Sequence, residues 1–120
     1  MILKLDWPAP ALWPNRAAGK HWTAKHKAKV AAREAGFYAV KQAKAAPNWP
    51  DGPIPLSLVF CASNARKFDL DGALSACKPM IDGIALALGI DDSRFAPVVL
   101  HRGEVAKPGC VVVGVGVEAA

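Results

Sequence analysis

The chain lacks any run near the ~18 uninterrupted apolar residues that a membrane-spanning helix requires, although 52% of its 120 residues are hydrophobic. Its opening, M-I-L-K-L-D-W-P, meets charge at Lys4, too early for the apolar core of a secretory signal. The expectation is therefore a soluble, cytoplasmic protein with no membrane partner. Cysteine is scarce. Cys61, Cys77 and Cys110 form no C-x-x-C pair, and an odd number so widely spaced argues against a disulfide framework or a zinc site. They are read as reduced core filler. His21, His26 and His101 lack the i, i+4 spacing of metal ligands. There are no internal repeats, and the G-V-G-V of residues 114–117 precedes no helix start, which excludes a phosphate-binding loop.

Acidic side chains are what the first half has least of. Residues 1–50 carry nine Lys/Arg against Asp6 and Glu34, a balance of +7 that leaves −2 for the remainder and +5 overall. A basic half suggests a polyanionic partner, and an acidic cluster elsewhere argues that the anion is met by a metal. Lysines that merely solvate an alanine-rich helix are the alternative.

A chain of this length forms one domain and buries about two-thirds of its extended surface. Residues 2–6 alternate as a half-buried strand. Residues 7–20, W-P-A-P-A-L-W-P-N-R-A-A-G-K, hold three prolines and two tryptophans, an irregular loop bearing aromatic and basic side chains. Thr23 can cap a helix running to about residue 46, with Val30, Phe37 and Val40 as its larger apolar contacts. On it Lys25, Lys29 and Arg33 fall at i, i+4 and i+8, one basic stripe. Residues 54–61 alternate again, with Ile54, Leu56, Leu58 and Phe60 on one side. Residues 64–67 are polar and basic. A second helix follows D-L-D, with Leu74, Cys77, Ile81, Ile84 and Leu88 as its apolar seam, and Pro79 either kinks it or begins it afresh. Residues 98–102 and 110–117 read as closing strands around a turn at 107–109, the latter with Val111, Val113, Val115 and Val117 on one face. This order predicts a single-domain α/β sandwich, a small mixed four-stranded sheet with two main helices.

Residues 68–92 read F-D-L-D-G-A-L-S-A-C-K-P-M-I-D-G-I-A-L-A-L-G-I-D-D. Asp69 and Asp71 are two apart, so an extended backbone points both carboxylates the same way. Asp91 or Asp92, in the turn after the helix, joins them if the segment folds back. Several carboxylates in a small volume cannot all stay ionised without a cation, and hard oxygen donors suit magnesium. The competing reading makes Asp69 or Asp71 a helix N-cap and G-I-D-D a turn. Lys78 comes about 700° round the helix from Asp71, nearly two full turns. On the carboxylates' face its ammonium would offset charge on a phosphate, while a solvated helix lysine is the plainer alternative. Asp82, one turn beyond Lys78, suits an ordinary i, i+4 ion pair and is left out of the metal set. Trp13, Trp22 and Trp49 flank loops, where they can stack on bases or pack on the sheet.

L-D-W-P-x-P with P-N-R shortly after, a basic first helix, D-L-D, K-P-M-I-D-G-I and G-I-D-D-S-R follow one another in an order that resembles the RusA-type crossover junction endodeoxyribonucleases. These are the Holliday junction resolvases of bacteria and their prophages, and the resemblance runs over most of the chain. It implies a homodimeric, magnesium-dependent nuclease of DNA recombination and repair that nicks two strands of a four-way junction symmetrically. Asp69, Asp71 and Asp92 would be the metal-binding and catalytic carboxylates, and Lys78 the catalytic cation. Arg16, Lys20, Lys25, Lys29 and Arg33, with Arg66 and Lys67, are the expected DNA-backbone contacts, holding phosphates without reading sequence. Two departures stand out: Gly72 replaces the asparagine the family usually has after the second aspartate, and the stretch to the lysine is three residues longer. They motivate a second reading, a non-catalytic branched-DNA-binding relative. A third is a nuclease acting on other branched or single-stranded DNA.

Overall fold

Residues 2–6 alternate buried and exposed positions strictly, whereas residues 54–61, 95–102 and 110–115 do so only in part, and together they build one sheet. The computed structural model describes residues 1–14, 22–43 and 48–119. Its strands are β1 (Ile2–Asp6), β2 (Ile54–Cys61), β3 (Phe95–Arg102) and β4 (Cys110–Val115), in the order β1-β4-β2-β3. β4 runs antiparallel to both its neighbours and β3 runs parallel to β2, so the sheet is mixed, as expected. A helical crossover between β2 and β3 supplies the long connection that a parallel pair needs. The two closing strands are not neighbours: the chain passes β2 between them, leaving β3 as an edge.

The two main helices are α1 (Trp22–Gln42) and α2 (Leu70–Leu88). Leu3, Leu5, Leu56, Leu58, Phe60, Val111 and Val113 form one core with Val40 of α1 and Cys77, Met80, Ile81 and Ile84 of α2. Each fully buried side chain of that size contributes about 1.5–3 kcal/mol. α2 runs unbroken through Pro79, so the helix does not begin afresh there. Proline forfeits one helical hydrogen bond, but Met80, Ile81, Ile84 and Ala85 beyond it all bury, and that packing holds the helix together. Gly89, at φ 70°, ends α2 in the left-handed conformation that favours glycine.

α1 departs from its expected contacts. Thr23 lies inside the helix, Val30 is 43% exposed, and the buried residues are Gly36 and Val40. The reason is a very close helix crossing: Gly36 meets the Met80 backbone and Gly83 meets the Arg33 backbone, where a Cβ would not fit. Residues 44–46 of the expected helix lie outside the described residues. Val117 also departs, leaving the sheet and standing 46% exposed. Buried Ser57 explains this, since its hydroxyl donates to the Val117 carbonyl at 3.2 Å and accepts from the Ala119 N–H at 2.8 Å, folding the segment after β4 across the sheet. No described helix is long and apolar enough to cross a membrane.

Candidate nucleic-acid and metal site

The start of α2 holds the first acidic pair. Asp69 occupies the N-cap position in extended conformation, and its backbone carbonyl accepts the Ala73 N–H at 2.9 Å. Its carboxylate makes no cap hydrogen bond, so capping does not account for the side chain. Asp71 is already in the first helical turn rather than on an extended backbone, which corrects the expectation from i, i+2 alternation. Both carboxylates nevertheless line one cleft of about 670 Å³, together with Arg66 and Lys67. The amide dipoles at this helix start favour negative charge there.

α2 then carries a line of functional groups. Asp71, Ser75, Lys78 and Asp82 are separated by about 400°, 700° and 1,100° of helical rotation, all close to whole turns. Lys78 faces α1 rather than the first cleft. It lines a second cleft of about 480 Å³ with Lys25, His26, Lys29, Arg33 and Asp82. The basic stripe read from the sequence is therefore one wall of a cationic groove, and Lys78 is part of the other. Arg16, Lys20 and His21 lie outside the described residues.

At the far end of α2, the two aspartates of the D-D pair have separate tasks. Asp91 accepts the Ser93 N–H at 2.9 Å, capping the 3-10 turn Asp92–Arg94, and this bond holds its pKa below the usual carboxylate range. The Arg94 guanidinium ties the turn to the carbonyls of Gly52, at 3.0 Å, and Pro50. Asp92 instead stands beside Asp82. Partial burial and the neighbouring Asp92 carboxylate raise the Asp82 pKa, against the pull of Lys78 and Arg33.

Nineteen residues of helix span about 28 Å. Asp69 and Asp71 therefore do not meet Asp92 within one chain, which corrects the expected convergence. Among the described residues, no group of three or more His, Cys, Asp or Glu side chains is placed to hold a metal ion. The cause is the continuity of α2 through Pro79: the segment does not fold back. The donor chemistry still fits magnesium. The groups are carboxylates without histidine or cysteine, and the Asp69 carboxylate is free of a cap bond.

Three residues were missed. Asp82 was set aside as an ion-pair partner, yet its eleven-residue spacing from Asp71 places both on one helix face. Trp7 and Phe68 were not singled out, and they wall the first cleft beside Trp13. Trp7 and Trp13 stack with ring centroids 5.8 Å apart, and Phe68 stands edge-on to both. Trp13 lies over Gly72, where a Cβ would stand in ordinary contact with the indole at 3.7 Å. Of the other tryptophans, Trp49 packs over Gly116 and Trp22 is 75% exposed, stacked on His26. The cysteines are free. Cys61 and Cys110 stand opposite each other on β2 and β4, and burial pushes the Cys77 thiol up to about 12.

No protein-family model matches the chain. It is similar to an uncharacterized protein of Xylella fastidiosa (strain Temecula1), 38% identical over 117 residues that take in 92% of this chain and 72% of that protein.

Proposed function

We propose that this chain, which belongs to the same family as the Xylella fastidiosa protein, is a magnesium-dependent endodeoxyribonuclease of the RusA type that resolves Holliday junctions by paired symmetric nicks. One observation carries the reading. Asp69 and Asp71 open on a cleft with Arg66 and Lys67, and the same helix bears Lys78 and Asp82 opposite the cations of α1. Groups that gather a cation thus alternate with groups that gather phosphate, as hydrolysis of a phosphodiester requires.

The length of α2 supports a two-chain form of the enzyme. Two chains about a two-fold axis, with their α2 helices antiparallel, bring Asp69 and Asp71 of one chain beside Asp92 of the other, and do so twice. Each site then draws on both chains, and the pair of sites matches the approximate two-fold symmetry of a four-way junction. Magnesium held by these carboxylates would polarise the scissile phosphate and acidify a water. The chain's own residues do the remaining work. Lys78 holds an ammonium against the phosphate, where charge builds up as the bond breaks. Lys25, Lys29 and Arg33 grip the backbone without reading bases, and Arg66 and Lys67 do so beside the first acidic pair. Asp82 stands beside Asp92 and helps to orient it.

The test is nicking of synthetic four-way junctions with magnesium. Asp71→Asn should abolish cutting and leave junction binding intact, whereas cutting at the normal rate would remove Asp71 from the site. The second reading, a binding protein that does not cut, is favoured by the separation of the acids within one chain. Junction binding with no nicking under any divalent metal would establish it. Preferential cutting of flaps or single strands would establish the third.

A further inference from the structure

We propose that the first cleft receives an unpaired nucleobase from the DNA strand whose phosphate meets Asp69 and Asp71. This rests on the nuclease reading and specifies what its site binds. At about 670 Å³ the cleft is far larger than a hydrated ion needs, and it lies within the roughly 300–1,000 Å³ typical of sites for small organic ligands. Its composition is divided. Its lining joins the aromatic Trp7, Trp13 and Phe68 to the charged Arg66, Lys67 and the two aspartates. A site for phosphate and metal alone has no use for the aromatic rings. A nucleotide uses both, because its base has a flat π-face and its phosphate is an anion.

The aromatic wall is built in advance. The Trp13 indole N–H donates to the Pro8 carbonyl at 3.4 Å, Trp7 stacks on Trp13 with 26° between the rings, and the Arg102 guanidinium sits 4.7 Å from the Phe68 centroid. Little ordering remains to be done when a base arrives. The three rings are only half-buried, so the wall is reachable from solvent. Trp13 also lies over Gly72 at the start of α2. The polar rim adds a donor: the Asn64 carboxamide oxygen is occupied by the Arg66 N–H at 2.9 Å, which leaves its NH2 group to hydrogen-bond a base edge. Enzymes that act at a strand distortion take a nucleotide out of the stack most readily where pairing is already broken, as at a branch point.

The experiment compares binding of the full chain, without divalent metal, to oligothymidylate and to an abasic oligonucleotide of the same length and charge. The wild type should bind the thymidylate about ten-fold more tightly, the scale of one base stacked on an aromatic side chain. Trp13→Ile, which keeps apolar bulk and loses the π-face, should bring the two affinities together while binding to the abasic strand is unchanged. Trp13→Phe should retain most of the preference, and circular dichroism of both variants verifies the fold. Equal affinity of the wild type for the two strands, with junction binding intact, overturns this inference alone. Failure to bind any DNA would instead overturn the nuclease reading. If Trp13→Ile weakens self-association and leaves base preference alone, the cleft is filled by a second copy of the chain and the proposal is wrong.

Discussion

Gly83 of α2 lies directly against the backbone carbonyl of Arg33 in α1, with no room between them for a methyl group. Gly36 and Met80 make the reciprocal contact one helical turn away. This crossing sets the spacing at which Lys29 and Arg33 face Lys78 and Asp82. Gly83→Ala must push the helices apart, and overpacking of this kind costs about 1–3 kcal/mol. The expected result is a lower urea midpoint at unchanged slope. DNA binding should weaken in the same variant, because the cationic groove widens with the crossing.

A site shared between two chains makes a prediction that a site within one chain does not. Asp71→Asn and Asp92→Asn should each be inactive alone. Mixed and allowed to exchange subunits, they form heterodimers in which one site carries both substitutions and the other carries neither. Nicking should return on mixing, and it should be single rather than paired. Sites built within one chain would leave every heterodimer with two defective sites, so silence on mixing would remove the two-chain arrangement. Size-exclusion chromatography with light scattering establishes that exchange has occurred.

The strands were legible where alternation alone decides burial. β2 has the predicted bounds, and Ile54, Leu56, Leu58 and Phe60 face the core, because each strand position has only two faces to choose between. Sheet order was not legible, since β4 sits between β1 and β2 through pairings of residues far apart in the chain, such as Leu5 with Val111 and Leu58 with Val113. α2 was readable as amphipathic, but its passage through Pro79 depends on tertiary packing that outweighs a local penalty. The same continuity decides the site. Whether Asp71 meets Asp92 turns on whether the helix breaks, and the residues around Pro79 allow either outcome. The Trp13–Gly72 contact joins residues with no pattern in common, and only the folded chain brings them together.

The Asp82–Asp92 pair gives stability an acid-side signature. The Asp82 pKa is raised in the folded chain, so between the unfolded value and the folded value the native state binds more protons. Stability from this group is therefore full below the ordinary carboxylate range and falls as pH rises through the raised folded pKa. Asp91 acts in the opposite direction: its pKa is lowered, so its contribution is present above the ordinary value and is lost as pH falls through the lowered one. Asp82→Asn should remove the first slope and leave the second. Urea midpoints measured on both sides of the ordinary carboxylate range follow the two contributions. A wild-type slope persisting in Asp82→Asn would assign it to another group.

Cations that hold phosphates leave a quantitative mark in salt. Each phosphate neutralised on duplex DNA adds about 0.9 to the steepness with which log affinity falls against log salt concentration. Lys29 lines the groove between α1 and α2, on the stripe with Lys25 and Arg33, and is exposed. Lys29→Ala should therefore weaken junction binding to a similar degree across junction sequences and reduce the salt slope by about one. The fold should be unaffected, since the side chain makes no part of the core. Lys78→Ala should show the same loss of slope together with a loss of cutting rate, because in the proposed enzyme its ammonium acts on charge that develops only during bond breakage. If Lys29→Ala leaves the slope unchanged while Lys78→Ala reduces it, DNA runs along α2 alone and the α1 wall is not part of the interface.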